Sequence, residues 1–242
     1  AISRTVGSKL SNYLNDLVPI LMPFCDTSKL EIESPEIETD HELIEICLSA
    51  LESFIRRCPK EVADFVPQIF KLVMELISYD PNYSYAEEEM EEDEDWGSDF
   101  EESEELSDAG IDDSSWKVRR AAVHVLDSII RSRPEKLSEY YSQLVDKLVE
   151  RFREREENVK LDIFKTFSGL IRSILVGEVD NSKDEEALPT LVRTRSSTDQ
   201  LRDQVPLIIQ GVQKELSSKN PKTKQGVTSF LMEMALSLPE NL

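Results

Sequence analysis

The chain repeats itself. A Val-Pro pair among apolar residues occurs three times, in Leu17-Val18-Pro19-Ile20, Phe65-Val66-Pro67-Gln68-Ile69 and Gln204-Val205-Pro206-Leu207-Ile208. Tyr140-Tyr141-Ser142-Gln143-Leu144 fits the same frame with Ser in place of Pro. Each string is read as opening an apolar run at helical spacing, here called a B helix. Between them lies a second helical pattern, the A helix, with frame positions Leu43, Val118, Val159 and Thr223. The step from A to B is 24 residues twice, Leu43 to Pro67 and Val118 to Ser142, and the return is 17 residues twice, Ser142 to Val159 and Pro206 to Thr223. The period is therefore about 41 residues. A helix pair of that length cannot bury its apolar face alone and must stack on its neighbours.

Periods of ~40–47 belong to HEAT and armadillo repeats. The fold class read from the chain is all-α: a HEAT-repeat α-solenoid, a right-handed superhelical array of antiparallel helix pairs. With 242 residues, seven glycines and few β-branched runs, a sheet protein is disfavoured. The expected units are a partial repeat over 1–25, repeats over 41–80, 114–156 and 157–217, and a partial repeat over 222–242. Two polar insertions interrupt them, at 82–113 and 178–198. The first joins one repeat to the next and the second joins two helices of one repeat, so they should leave the array at opposite edges.

Local signals set the expected helices. In Glu42–Arg57, the residues Leu43, Ile46, Cys47, Ala50, Leu51, Phe54 and Ile55 form one apolar stripe, and Pro59 follows as terminator. Ser114 or Ser115 is expected to cap the helix from Trp116, and Asn158 the helix that Gly177 ends. The N-terminal residues read as the end of a helix whose start is missing, so the chain is expected to be an internal piece of a longer repeat protein.

Charge is concentrated. The net charge is −21, yet 16 acidic and no basic residues fall between Glu87 and Asp113. Without that stretch 33 acidic residues face 28 basic ones, a net of −5. The body is thus nearly balanced, and nucleic-acid binding is not expected. The stretch buries too little to fold alone and reads as a disordered acidic insert. It is either a solvated linker or an electrostatic arm for a basic partner, with Glu91, Asp93, Asp95, Trp96 and Phe100 as candidate contacts. Ser84, Ser98, Ser103 and Ser107 lie in or beside this acidic context, where an acid-directed kinase would add further charge.

Chemistry is not expected. His41 and His124 have no ligand partners at metal spacing. No Gly-rich phosphate loop, nucleophile elbow or Cys/His pairing occurs. Cys25, Cys47 and Cys58 are an odd set that reads as reduced, buried and intracellular. No signal-peptide pattern or membrane-spanning apolar run is read. No enzyme activity, cofactor, metal, membrane or small-molecule substrate is therefore assigned. Lys117, Arg119 and Arg120 read as inter-repeat salt bridges or a basic ladder. Tyr140, Gln143, Lys147 and Arg151 mix aromatic, polar and basic groups on one B helix, as a protein-binding surface does.

Specific strings carry a family resemblance. Ala50-Leu51-Glu52-Ser53-Phe54 with Arg57-Cys58-Pro59, then Ile77-Ser78-Tyr79-Asp80-Pro81-Asn82, then Ser115-Trp116-Lys117-Val118-Arg119-Arg120-Ala121-Ala122, then Arg155-Glu156-Glu157-Asn158-Val159-Lys160 occur in that order. Together they resemble the cullin-associated, neddylation-dissociated (Cand) family, most strongly from Leu43 to Lys160. The segment Glu178–Thr198 departs from it. The resemblance implies a segment from the N-terminal half of a HEAT solenoid several-fold longer. It also implies a cytoplasmic and nuclear protein that wraps a cullin and its RING partner. Such a protein binds the cullin lacking its ubiquitin-like modifier, covers the acceptor lysine and promotes exchange of adaptor and substrate-receptor modules. No catalytic residues come with it. The alternative reading is a nuclear transport receptor, also a HEAT solenoid with an acidic loop, which Glu94-Asp95-Trp96 echoes.

Overall fold

The computed structural model describes residues 7–27, 39–81, 114–184 and 197–238. The acidic insert, with Glu91, Asp93, Asp95, Trp96 and Phe100, lies outside the described residues. Within them are eight α-helices: α1 Leu14–Cys25, α2 His41–Arg57, α3 Val66–Leu76, α4 Ser115–Ser132, α5 Leu137–Glu150, α6 Glu157–Asp184, α7 Ser197–Leu216 and α8 Pro221–Ser237. Short 3-10 turns precede α1, α3 and α5 and follow α5. No strand occurs among the described residues. The architecture is a helical-repeat solenoid.

The even-numbered A helices form one layer and lie parallel. Lys117 Nζ meets Glu42 near the starts of α4 and α2 (3.4 Å), and Arg133 donates to the Pro59 carbonyl just beyond their ends (2.8 Å). Arg120 reaches Asp162 on α6 (2.8 Å), and Arg172 reaches Glu233 on α8 (2.6 Å). The approach is close where α6 meets α8: a β-carbon at Gly226 would come within 2.5 Å of Leu161 Cδ2. The B helices form the second layer. Phe70 of α3 stacks on Tyr140 of α5, with centroids 4.1 Å apart, and Gln204 of α7 donates to Asp146 of α5 (3.4 Å).

The apolar faces produce this arrangement. In α4 the buried set Val118, Ala121, Ala122, Val125, Leu126 and Ile129 follows the helical period. In α2 the buried stripe is rotated from the expected one. Ile44, Cys47, Leu48, Leu51, Phe54 and Ile55 are buried, whereas Leu43 is 40% and Ile46 66% exposed. Val118 and Val159 hold the same frame position and are buried, because each has an A helix on both sides. Among the described residues α2 has a parallel neighbour on one side only. The outer face of α8 likewise exposes Met232 and Leu236.

Helix ends follow local rules, several of them different from those expected. Cys58, Arg133 and Leu238 end α2, α4 and α8 with nearly the same geometry, φ −132 and ψ 54, φ −135 and ψ 55, and φ −132 and ψ 62. Each precedes a proline, whose ring excludes the helical conformation from the residue before it. In α6 the corresponding position holds Leu175 and no proline. The helix runs through Gly177 to Asp184 instead of ending there. Nor do the Val-Pro pairs all open helices. Pro67 sits in the first turn of α3, but Pro19 and Pro206 lie inside α1 and α7. All three prolines are exposed, so water can satisfy the carbonyls their rings leave unbonded. Asp40 caps α2 through the Leu43 N–H (2.9 Å), and Asn220 caps α8 through the Lys222 N–H (3.0 Å).

Of the two serines expected at the start of α4, Ser114 holds the N-cap position but its side chain makes no capping hydrogen bond, and the expected cap at Asn158 is corrected. Ser114 Oγ lies 2.7 Å from His41 Nδ1, and Ser115 Oγ accepts from Arg119 (2.9 Å). Asn158 is already inside α6, and the Glu154 carboxylate accepts the Glu156 N–H (3.1 Å).

The ends of the first insertion, Pro81 and Ser114, lie at the B-to-A edge beside Tyr79 and His41. The second insertion, expected over 178–198, begins inside α6, which holds residues 178–184, and ends in the first turn of α7, while the residues between lie outside those described.

Phe152, Phe164, Phe167 and Phe230 join α6, α8 and the turn after α5 in one ring cluster, with centroids 5.0–5.8 Å apart. Phe152 is fully buried. Phe152→Ala should lower stability by about 3–5 kcal/mol in urea unfolding. A loss below about 1 kcal/mol would show that the cluster does not hold these helices together.

Candidate functional site

Among the described residues no group of three His, Cys, Asp or Glu side chains could hold a metal ion, and no helix is long and apolar enough to cross a membrane. Cys25, Cys47 and Cys58 are buried, and burial pushes all three thiols above their ordinary range. They are therefore poor nucleophiles. Both histidines are structural. His41 bridges Ser114 and the Tyr79 hydroxyl (3.2 Å) with an edge-on ring contact, closing the junction between repeats. His124 shares Asp162 with Arg120 (2.9 and 2.8 Å). Burial alone would raise the Asp162 carboxyl, but hydrogen bonds from His124 and Arg120 hold it below the usual range.

The densest polar arrangement lies at the B-to-A edge. Arg119, directly after the frame residue Val118, is fully buried. Its Nε and Nη2 donate to the two oxygens of Glu154 (3.1 and 3.2 Å), and Nη1 donates to the Tyr79 carbonyl (3.0 Å) and Ser115 Oγ. Glu154 also accepts from Arg151. Asp80 lies 3.8 Å from Arg119 and 2.9 Å from Arg155. These contacts tie together the end of α3, the start of α4 and the turn after α5. Burial alone would raise the Glu154 carboxyl, but Arg151 and Arg119 hold it below the ordinary carboxylate range. One repeat later Lys160, directly after Val159, pairs with Glu215 (2.6 Å), both largely buried. Lys117, Arg119 and Arg120 are thus ion-pair partners within the array. The recurrence of a base after each frame valine was the sequence signal for this network.

The four B-helix candidates divide. Gln143 is exposed on the outer face of α5. Lys147 is half-buried and paired with Glu150 of its own helix (3.0 Å). Tyr140 is half-buried against Phe70, and Arg151 is held by Glu154. Tyr140 and Arg151 therefore carry packing roles besides any surface role. Equivalent exposed positions on neighbouring B helices are Gln68 and Lys71 of α3 and Leu207 and Gln210 of α7, so the face continues along the array. Between α1 and α3 it opens into a groove of about 560 Å³ lined by Met22, Pro23, Phe65 and Lys71 among others.

Relatives of this chain align along its whole length. Cullin-associated NEDD8-dissociated protein 1 of Arabidopsis thaliana is 38% identical over 245 residues, covering 100% of this chain and 18% of the relative. Cullin-associated NEDD8-dissociated protein 2 of Mus musculus is 38% identical over 243 residues, with the same coverage. The chain belongs to the cullin-associated NEDD8-dissociated protein family. The Drosophila melanogaster protein 1 is 35% identical over 246 residues, again 18% of its length. The chain thus spans about a fifth of the length of the curated relatives it matches. No protein-family model matches it.

The buried Glu154 carboxylate gives a signed pH prediction. Its folded pKa is depressed, so its contribution to stability is present above the unfolded carboxylate range. That contribution is lost as pH falls through the folded value. Glu154→Gln should cost about 3–5 kcal/mol at neutral pH by leaving the buried Arg119 with only the more distant Asp80 as counter-charge. It should also flatten the loss of stability seen in the unmutated chain as pH falls through and below the ordinary carboxylate range. An unchanged acid limb in denaturant titrations at several pH values would remove Glu154 from that role.

Proposed function

We propose that this chain is part of the non-catalytic helical scaffold by which a cullin-associated protein engages a cullin–RING complex lacking its NEDD8 modifier. On this reading the whole protein works in the cytoplasm and nucleus. It blocks modifier attachment and promotes exchange of adaptor and substrate-receptor modules. The observation that carries the reading is the match of the entire chain to proteins named for association with cullins and dissociation from NEDD8. The array supports it physically. Its A layer is occupied by stacking, while the B layer presents a continuous mixed face suited to a long protein partner. The relatives' names do not favour the transport-receptor alternative. In this reading the exposed B-helix positions, Gln143 among them, meet the partner. The acidic stretch Glu87–Asp113 adds long-range attraction to a basic surface.

The test is binding of the protein carrying this chain to a purified cullin–RING complex, with and without the modifier, at two ionic strengths. Binding to the unmodified complex alone is expected. Deletion of Glu87–Asp113 should reduce the salt dependence while leaving part of the affinity. Equal binding to both forms, or to neither, would overturn the reading.

A further inference from the structure

The joints of the B layer are closed differently along the array. At the joint of α3 and α5, Phe70, three residues after Pro67, stacks on Tyr140, two residues before Ser142, with centroids 4.1 Å apart. At the joint of α5 and α7, Gln204, two residues before Pro206, donates to Asp146 (3.4 Å). At the joint of α1 and α3, Met22 and Phe65 hold the frame positions of Phe70 and Tyr140. Here the pair leaves the joint open, and both residues line the groove of about 560 Å³.

The groove has a direction. The Cys58 thiol, at the end of α2, donates to the Gly7 carbonyl before α1 (3.9 Å), and the Cys58 carbonyl accepts the Val62 N–H before α3 (3.0 Å). α1 and α3 therefore start from the same edge and run parallel, so their C-terminal ends lie together. Pro19, Met22 and Phe65 give the groove an apolar stretch. Pro19 is exposed and the other two are half-buried, so all three keep surface that a partner can cover. Asp26 and Glu75 line the far end, where the negative ends of two helix dipoles add to their charge. Glu75 is exposed and makes no ion pair among the described residues. Lys71, one turn earlier on α3, is the one base among the described residues that line the groove. An apolar stretch that leads to an electronegative end is complementary to an apolar side chain followed by a cation.

We propose that this groove receives a segment of a protein partner in which one aromatic or long aliphatic side chain is followed by Lys or Arg. The apolar side chain lies between Met22 and Phe65, a thioether and a ring that both favour aromatic contact. The cation reaches Glu75 and Asp26 at the helix ends. An acidic segment is repelled by the same carboxylates. The groove holds this preference whichever protein the B layer meets.

The full chain, with ¹³C-labelled methionine methyls, is titrated with three blocked tripeptides, Phe-Lys-Lys, Phe-Glu-Glu and Ala-Lys-Lys. Met22→Leu assigns the Met22 resonance. That resonance is expected to shift saturably with Phe-Lys-Lys alone, and the affinity should fall as salt rises. Glu75→Gln should weaken binding about two- to fivefold, the loss expected for one exposed ion pair, and reduce its salt dependence. Gln68→Trp, at an exposed position lining the groove, should abolish the shift by filling it. Thermal unfolding confirms that both variants fold. No saturable Met22 shift with Phe-Lys-Lys, equal binding of either other peptide, or binding that Glu75→Gln leaves unchanged would overturn the proposal. None of these outcomes bears on binding to the cullin–RING complex, so the two readings fail separately.

Discussion

Most of a helix's stability in a protein comes from tertiary packing of its apolar face. The A layer applies that rule strictly. α4 carries Val118, Ala122, Val125, Leu126 and Ile129 at or near zero exposure because α2 covers one side and α6 the other. α6 in turn needs α8, where Gly226 lets the helices close to contact with Leu161. The B helices then form the second layer, and their outward positions stay exposed.

Polar groups fix what apolar contact leaves loose. Stacked helices can slide by a turn with little change in buried area, whereas the Arg119–Glu154 pair has one geometry. Arg119 engages both carboxylate oxygens and the Tyr79 carbonyl, so α3, α4 and the turn after α5 share one register. An apolar pair of equal volume would match or exceed it in stability. Its value lies in specifying which turn meets which. Lys160 and Glu215 place a second such peg one repeat on, while the exposed pairs Lys117–Glu42 and Arg172–Glu233 add little beyond solubility.

The sequence made the helical-repeat architecture legible because a 41-residue period and a helical apolar pattern are properties of the chain alone. It misplaced what depends on neighbours. Leu43 looks like Val118 in the frame but is exposed, since among the described residues no A helix lies on that side of α2. The end of α6 was misread at Gly177 because glycine is only a weak stop inside a packed helix. The stronger signal, a proline sixteen residues after the frame position, is present in α2, α4 and α8 and missing at Leu175. Ser114 does hold the N-cap position of α4, but its hydroxyl meets His41, 73 residues away, instead of the helix. Arg119 was legible as an ion-pair partner but Glu154 was not. A carboxylate in a run of alternating charges looks solvated until the fold buries it.

The same competition explains how the candidate surface divides. Tyr140 and Arg151 looked available because they lie off the apolar stripe of α5, yet each is committed to a neighbouring element. Gln143 is exposed, and Lys147 spends its charge on Glu150. A recognition face made this way distributes affinity over many modest contacts along successive B helices, with few dominant residues. Truncating Gln143 alone should therefore matter little, whereas shifting one repeat against the next would misalign the whole face. On the proposed reading the buried pegs would act indirectly, by setting the spacing of the exposed B-helix groups.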